Sequence, residues 1–310
     1  MTLGALAPRI GTLALRLLLP AGRGRVVAST AGAMFLLRGD GGILWIQGAA
    51  APMHRRAIGL AAAEVPRIEA GAPFLVAGKT LWIGDSVSVD LAGATVWAPV
   101  RHRGGEATRR YGTLAVRIRE LIGTIDDGGA RELGRLLPFL CRRSGGEAVT
   151  PGSSGDPVFD AAAPHAIAVA RACRVLDAAA LLRHAEALIG LGRGLTPSGD
   201  DFVGGLAFVL RQVPGLCPDS FARPLRSAVQ GWAGRTNGIS FAMLGDHAAG
   251  CGTEVEHEIA AVLRGDLRPS ALGPAAARLV GIGHSSGWDR LAGMVAGLSI
   301  ADQREARTCG

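Results

Sequence analysis

The hydrophobic pattern of this 310-residue chain changes once, near Glu106. Before that point, apolar residues stand in short runs with a period of about two, which is typical of strands. After it they recur at spacings of three and four over longer segments, which predicts helices. A chain that separates strands from helices in this way folds as α+β. We therefore predict a small β-rich domain, a curled sheet or barrel, at residues 1–105 and a larger, mostly α-helical domain at residues 106–310.

Turn residues mark the strands of the first domain. Gly39-Asp40-Gly41-Gly42 stands between two apolar runs and predicts a hairpin, because glycine and aspartate tolerate the dihedral angles of tight turns. One helix is predicted at Met53–Ala63. The predicted strands are Arg25–Ser29, Ala33–Arg38, Ile43–Gln47, Pro73–Ala77, Thr80–Ile83, Ser86–Val89 and Thr95–Trp97.

The apolar pattern of the second domain predicts a series of helices joined by polar loops. The segment Ser144–Pro157 is rich in glycine, serine and proline and predicts a long loop. Glu254, His257 and Glu258 share one helical face, which we expect to be solvated, since a di-iron site needs a second Glu-x-x-His pair that the chain lacks. The predicted helices are Arg109–Ile122, Ala130–Arg142, Ala161–Gly190, Gly199–Gln212, Ser220–Ala233, Ile239–Ala249, Glu254–Leu263, Ala275–Ile282 and Ser286–Leu298.

Composition excludes several classes of function. The net charge is +7, but Lys79 is the only lysine, the arginines are dispersed and only 5% of residues are aromatic, so no surface typical of nucleic-acid binding is indicated. No apolar stretch approaches the ~20 residues that cross a bilayer, and Arg16 interrupts the first apolar run. Five cysteines without a C-x-x-C pair indicate neither a disulfide framework nor a zinc site. We expect a cytoplasmic protein with no nucleic-acid or membrane partner, and its charge suits a small anionic substrate.

Residues 190–205, GLGRGLTPSGDDFVGG, are the strongest candidate for a site. Gly192 and Gly194 permit positive φ and let backbone N–H groups approach a ligand closely. Ser198 and Asp201 have the spacing of a capping box, and a helix N-terminus suits an anion. Capping alone does not explain the two glycines or the second carboxylate, which favour a binding site. The predicted ligand-binding residues of this turn are Gly192, Arg193, Gly194, Thr196, Ser198 and Gly199.

A second turn repeats this pattern in residues 281–298. Both segments place Ser-Gly-x-Asp after Gly-x-Gly, and both continue into an apolar helix with a matching glycine, Gly205 or Gly293. An internal duplication would direct two helix N-termini at one pocket. Chance similarity between small-residue turns in a chain rich in glycine and alanine explains the pattern equally well. The predicted ligand-binding residues of this turn are Ser285, Ser286 and Asp289.

Two adjacent carboxylates, Asp200 and Asp201, stand where they would repel a bare anion. They suit a ligand that also presents N–H groups, a Mg²⁺ ion beside a phosphate, or acid/base chemistry. His284 stands between glycines and serines and is predicted to act as an acid/base or to polarise a carbonyl. The predicted catalytic residues are therefore Asp200, Asp201 and His284. No cofactor is required by this pattern, and Mg²⁺ is the one that it allows.

A third segment, RTNGIS at residues 235–240, combines an arginine, two hydroxyls and an amide in a turn between helices. Its arginine is a candidate clamp for a carboxylate or phosphate. Capping of the preceding helix is an equally good explanation of that arginine. The predicted ligand-binding residues of this segment are Arg235, Thr236, Asn237 and Ser240.

The three segments GLGRGLTPSGDDF, RTNGIS and GIGHSSGWDRLAG together resemble, in order and spacing, a bacterial family long listed as a domain of unknown function. That family includes the AllH subunit of oxamate carbamoyltransferase, from anaerobic allantoin degradation, a branch of purine catabolism. The resemblance extends over roughly residues 23–298 and is most specific at LTPSGDD.

This resemblance implies a subunit of a multi-subunit enzyme that exchanges a carbamoyl group between oxalurate and phosphate, giving oxamate and carbamoyl phosphate. It also implies partners, two other polypeptides, of which one resembles acyl-CoA synthetase subunits. Many relatives lie outside allantoin pathways, so another carbamoyl or acyl substrate is equally open. There are two alternatives to the hypothesis of a carbamoyltransferase subunit. One is a non-catalytic structural or regulatory subunit whose glycine-rich turns form an interface, and the other is a stand-alone Mg²⁺-dependent hydrolase.

Overall fold

The structure is a computed structural model that describes residues 3–19, 22–99, 116–117, 120–121, 123, 129–140 and 151–301. The chain divides into two compact units, Met1–Val100 with Gly252–Glu254, and Arg101–Cys251 with Val255–Gly310. The α+β class is confirmed, because strands fill the first unit and helices the second. The predicted boundary at 105/106, most of the predicted helix Arg109–Ile122 and residues 144–150 of the predicted loop lie outside the described residues.

One curled sheet of ten strands forms the first unit. The strands are β1 (Leu3–Leu6), β2 (Arg9–Gly11), β3 (Arg23–Ser29), β4 (Ala33–Arg38), β5 (Ile43–Gln47), β6 (Ala57–Gly59), β7 (Pro73–Ala77), β8 (Thr80–Ile83), β9 (Val87–Asp90) and β10 (Thr95–Trp97). They lie in the order β1-β9-β8-β7-β3-β4-β5-β6-β2-β10. Antiparallel pairs predominate, and β1–β9, β5–β6 and β2–β10 are parallel.

The predicted hairpin between β4 and β5 is confirmed. Leu37 pairs with Ile43 across the antiparallel ladder, and Gly41 takes a φ of +87° in the turn. Glycine adopts this left-handed conformation without the steric cost that a side chain would add.

The predicted helix at Met53–Ala63 is wrong. Ala57–Gly59 forms β6 instead, which pairs with β5 on one side and β2 on the other. Ala57 and Ile58 are fully buried there, so pairing within the sheet overrides the local pattern. A short helix that was not predicted, α1 (Thr12–Leu18), contributes Ala14 and Leu18 to the same apolar core as the sheet.

Helices and short 3₁₀ turns form the second unit. The helices are α2 (Leu137–Leu140), α3 (Pro157–Val175), α4 (Ala178–Leu188), α5 (Ser198–Gln212), α6 (Asp219–Ala228), α7 (Gly238–Ala248), α8 (Glu254–Arg264), α9 (Leu272–Val280) and α10 (Ser286–Leu298), with 3₁₀ helices at Glu132–Leu136, Val229–Trp232 and Pro269–Ala271. The predicted helix Ala161–Gly190 is two helices, because Leu176 takes a left-handed φ of +57° and Asp177 caps α4 by accepting the Ala180 N–H.

Two central helices, α5 and α10, are buried along nearly their whole length and pack closely on each other. A Cβ atom on Gly205 would lie 2.1 Å from the carbonyl oxygen of Arg290, and one on Gly293 would lie 1.9 Å from that of Phe202. These contacts are reciprocal, because Gly205 matches Gly293 and Phe202 matches Arg290 in the repeated pattern. Such symmetry favours the internal duplication over chance similarity.

The helices that precede α5 and α10 in the chain make the same kind of close backbone contact with them. A Cβ atom on Gly199 would lie 1.9 Å from the carbonyl oxygen of Leu188 at the end of α4, and one on Gly287 would lie 1.8 Å from that of Leu279 in α9. Each repeat is therefore a helix, a tight turn and a second helix in close backbone contact. This packing brings the two glycine-rich turns to the same end of the α5–α10 pair.

Candidate functional site

Three turns that the sequence singled out meet at the N-terminal ends of α5, α7 and α10. The hydroxyl oxygens of Thr196 and Ser286 lie 2.8 Å apart and join the first turn to the second. Asn237 Nδ2 donates to the carbonyl oxygen of Leu195 at 2.9 Å and joins the third turn to the first. We call residues 190–201, 235–240 and 281–289 the three-turn cluster.

The carboxylate of Asp200 holds two of these turns together. It is 3% exposed, and its Oδ1 accepts the Gly190 N–H at 2.7 Å. Its Oδ2 accepts the hydroxyl of Ser240 at 2.6 Å and that of Thr236. Burial raises the pKa of Asp200, although the three hydrogen bonds act in the opposite direction. Since both oxygens are engaged, the local role of Asp200 is to fix the first and third turns.

Capping at the start of α5 differs from the sequence prediction. The helix begins at Ser198 after Pro197, and no side chain caps it, so the interpretation of Ser198 and Asp201 as a capping box is wrong. The Gly199 N–H donates instead to the carbonyl oxygen of Leu191 at 2.8 Å. Proline presets the backbone for entry into the helix, and the loop itself supplies the acceptor that a capping side chain would have provided.

The start of α10 follows the same plan. Ser285 precedes the helix without a side-chain cap, and the Gly287 N–H donates to the carbonyl oxygen of Ile282 at 3.1 Å. The glycine amides of both helix starts are therefore used within their own loops. A ligand at the cluster would depend mainly on side chains rather than on these amides.

A buried ion pair lies in the α5–α10 crossing, directly after the turns. Arg290 Nε donates to Asp201 Oδ1 at 2.9 Å, and the two side chains are 2% and 4% exposed. Asp289, at the matching position of the second repeat, is fully buried. Its burial, together with the charge of Asp201, raises the pKa of Asp289 well above the ordinary value. The two equivalent carboxylates thus stand in different electrostatic environments.

The 3₁₀ helix Glu132–Leu136 closes the cluster on the side of the second turn. The Leu133 N–H donates to Asp289 Oδ1 at 2.9 Å. Arg131 Nη1 lies 2.7 Å from His284 Nδ1 and also donates to the carbonyl oxygen of His284 at 3.2 Å. Both partners are exposed, so this contact lies on the outer surface of the cluster.

The remaining predicted residues divide between the outer surface and supporting contacts. Arg193 is exposed between Gly192 and Gly194, whose φ angles of +141° and +96° require glycine. Arg235 pairs with Glu186 of α4 at 2.6 Å, and both side chains are about half exposed, so its charge is already compensated by a carboxylate.

The side-chain amide of Asn237 fixes the conformation of the third turn. Asn237 caps α7, since its Oδ1 accepts the N–H groups of Ile239 and Ser240 at 3.0 and 3.1 Å. The outer surface of the cluster thus presents arginine and histidine donors, whereas its carboxylates lie beneath.

The described residues do not form a metal site. Among them, no group of three or more histidine, cysteine, aspartate or glutamate side chains is arranged to hold a metal ion. Asp200 already accepts three hydrogen bonds and Asp201 pairs with an arginine, so this donor set does not fit Mg²⁺. In the same part of the chain, no helix combines the length and apolar character needed to cross a bilayer.

Sequence reasoning missed several groups around the cluster. Arg290 could have been noticed as the one basic residue in the sequence of α10, but Arg131 carries no local signal. The expectation of a solvated face on α8 is wrong for His257, which is 6% exposed. Its neighbour Glu256 is fully buried and lies 3.0 Å from His247 Nε2.

Comparison with known proteins identifies one family. Residues 188–298 match the family model described as oxamate carbamoyltransferase subunit AllH. This segment runs from the end of α4 to the end of α10 and contains all three turns. Searches of the curated proteins and of the solved structures returned no match. The resemblance that the sequence suggested is confirmed over this segment, where residues 188–298 are similar to the AllH family.

Proposed function

We propose that the chain is a subunit of a carbamoyltransferase-type enzyme and that its three-turn cluster binds a small anion, such as oxamate or carbamoyl phosphate. The family match supports the assignment as a subunit. One observation carries the anion site: three turns converge, with exposed cationic and donor side chains outside and carboxylates inside. Carbamoyl exchange between oxalurate and phosphate, and the presence of partner polypeptides, are parts of the same proposal.

The charges of the cluster favour an anion despite its carboxylates. Asp200 directs both oxygens at donors of the protein, and Asp201 is neutralised by Arg290. Neither acid presents an uncompensated charge at the surface, so the repulsion expected from the sequence is removed. Arg193, in contrast, is exposed and has no ion-pair partner among the described residues. A free guanidinium on a glycine-rich turn suits a carboxylate or phosphate.

Each predicted residue then takes a role that its surroundings allow. Arg193 holds the carboxylate or phosphate end of the ligand together with one hydroxyl of the Thr196–Ser286 pair, since the other hydroxyl donates within the pair. His284 faces the carbamoyl end, where it acts on the carbonyl group. Asp200 acts as a positioning residue through the turns that it connects, because both of its oxygens already accept hydrogen bonds from those turns.

Isothermal titration of the full chain with carbamoyl phosphate, oxamate and inorganic phosphate tests this proposal. Arg193→Gln removes one charge-assisted hydrogen bond, which stabilises by about 1.5–3 kcal/mol, so the affinity should fall at least about tenfold. Arg171→Gln on α3, another exposed arginine, is the matched control and should bind as the wild type does.

Absence of binding by all three anions, or an equal loss in both variants, would contradict the anion site. The alternative of a non-catalytic subunit predicts a different result. In that case Asp200→Asn would weaken assembly with the partner subunits, whereas the affinity for each anion would be the same in wild type and Arg193→Gln.

A further inference from the structure

The contact between Arg131 and His284 determines which imidazole nitrogen carries the proton. Arg131 Nη1 lies 2.7 Å from His284 Nδ1. A guanidinium group has only donors, so Nδ1 must accept through its lone pair. A neutral imidazole carries one proton, which then resides on Nε2. The geometry therefore assigns His284 the tautomer in which Nε2–H points away from Arg131.

The position of Arg131 is set by contacts deeper in the unit. Two residues further along the chain, the Leu133 N–H donates to the buried carboxyl group of Asp289. Gly134 packs against Trp288, where an added Cβ atom would lie 2.7 Å from the Trp288 Cβ. The segment that carries Arg131 is thus held against the start of α10, the helix that His284 precedes. Its guanidinium holds both the ring and the backbone carbonyl of His284.

We propose that His284 acts only as a hydrogen-bond donor, through Nε2–H, and that Arg131 is the positioning residue that fixes this tautomer. This inference rests on the proposed function and narrows it. An Nε2–H group cannot accept a proton at that nitrogen, so His284 does not serve as a general base toward the ligand. It donates to an oxygen of the ligand: a carbonyl, carboxylate or phosphoryl oxygen, and in a carbamoyl compound the carbonyl oxygen rather than the amide nitrogen.

The tautomer is measured without any ligand. Nitrogen-15 NMR of the imidazole side chains in the full chain, at a pH where the ring is neutral, should show His284 with a protonated Nε2 and an unprotonated Nδ1. Arg131→Met removes the donor but keeps an apolar stem, and should shift the Nδ1 resonance toward that of a freely exchanging ring. Arg135→Met, at another exposed arginine in the 3₁₀ helix that Arg131 precedes, should leave the His284 signals unchanged.

Binding of oxamate then tests the direction of the ligand hydrogen bond. His284→Gln retains an N–H donor at a similar reach and should bind within a few-fold of the wild type, whereas His284→Met should bind about tenfold more weakly. A protonated Nδ1 in the wild type, or equal losses in the two His284 variants, would overturn the inference. If oxamate does not bind at all but the NMR result holds, the proposed function fails while the tautomer assignment stands.

Discussion

Replacing Gly293 with alanine measures how much the close crossing of α5 and α10 contributes to stability. A Cβ atom there would lie 1.9 Å from the carbonyl oxygen of Phe202 and 3.0 Å from the amide nitrogen of Leu206. Ordinary contact begins near 3.4 Å, so the two buried helices would have to separate locally by about 1.5 Å. Overpacking against backbone costs about 3 kcal/mol, and the better helix propensity of alanine returns about 1 kcal/mol. We expect the free energy of unfolding to fall by ~2 kcal/mol.

Urea denaturation followed by far-UV circular dichroism measures this change, because the signal is dominated by the helical unit. Gly245→Ala in α7 is the matched control: it lies within a helix, and apart from its chain neighbours and the backbone of its own helix nothing lies within 4 Å of the added Cβ. It should stabilise by about 0.5–1 kcal/mol, since only helix propensity changes. If Gly293→Ala is as stable as the wild type or more so, close backbone packing does not hold the two turns together and the reasoning is refuted.

Two further predictions concern buried ionisable groups. Burial lowers the pKa of His257 from 6.5 to about 4, so the unfolded chain takes up the proton first and stability should fall as the pH drops through this range. The free energy of unfolding should decrease by about 3 kcal/mol in total. Urea midpoints measured at several pH values should decrease less for His257→Gln than for the wild type, and an equal decrease would contradict the lowered pKa of His257. For Asp289 the folded-state pKa is raised, so stability falls as the pH rises from the unfolded value of 3.8 through the folded-state pKa. Asp289→Asn keeps an acceptor for Leu133 and cannot ionise, so thermal melts should show it more stable than the wild type at pH 8 and similar at pH 4; destabilisation at pH 8 would mean that the carboxylate is charged in the fold.

Local signals predicted the strands β3–β5 and β7–β10 but missed β1, β2 and β6. The predicted strands are bounded by residues with strong turn preferences. The Gly39–Gly42 turn between β4 and β5 is one example. The order of strands could not be predicted, since β1 pairs with β9 and β2 with both β6 and β10 through contacts distant in sequence. The wrong helix at Met53–Ala63 has the same cause: its apolar residues are buried by neighbouring strands rather than by a helical face.

In the candidate site, the sequence predicted which segments meet but not where their side chains point. Asp200 and Asp201 are adjacent, yet successive residues of a helix point about 100° apart. One therefore reaches the third turn and the other reaches Arg290. Arg131 lies 153 residues from His284 along the chain, so no local pattern could relate the two residues. Backbone conformation was the more predictable part, because glycine and proline restrict it directly.

One of the differences between the two similar turns decides the electrostatics of their matching carboxylates, Asp201 and Asp289. Phe202 and Arg290 occupy matching positions, so an arginine follows only one of the two equivalent carboxylates. Arg290, from the second repeat, pairs with Asp201 of the first. Asp289 accepts hydrogen bonds from the Leu133 N–H and from the side chains of Ser198 and Ser285, and its burial raises its pKa. One acid is neutralised by a cation, and the other is driven toward its protonated form. An anion above the turns then meets little net negative charge from either acid, so the buried carboxylates and the proposed site are compatible because the two repeats are not identical.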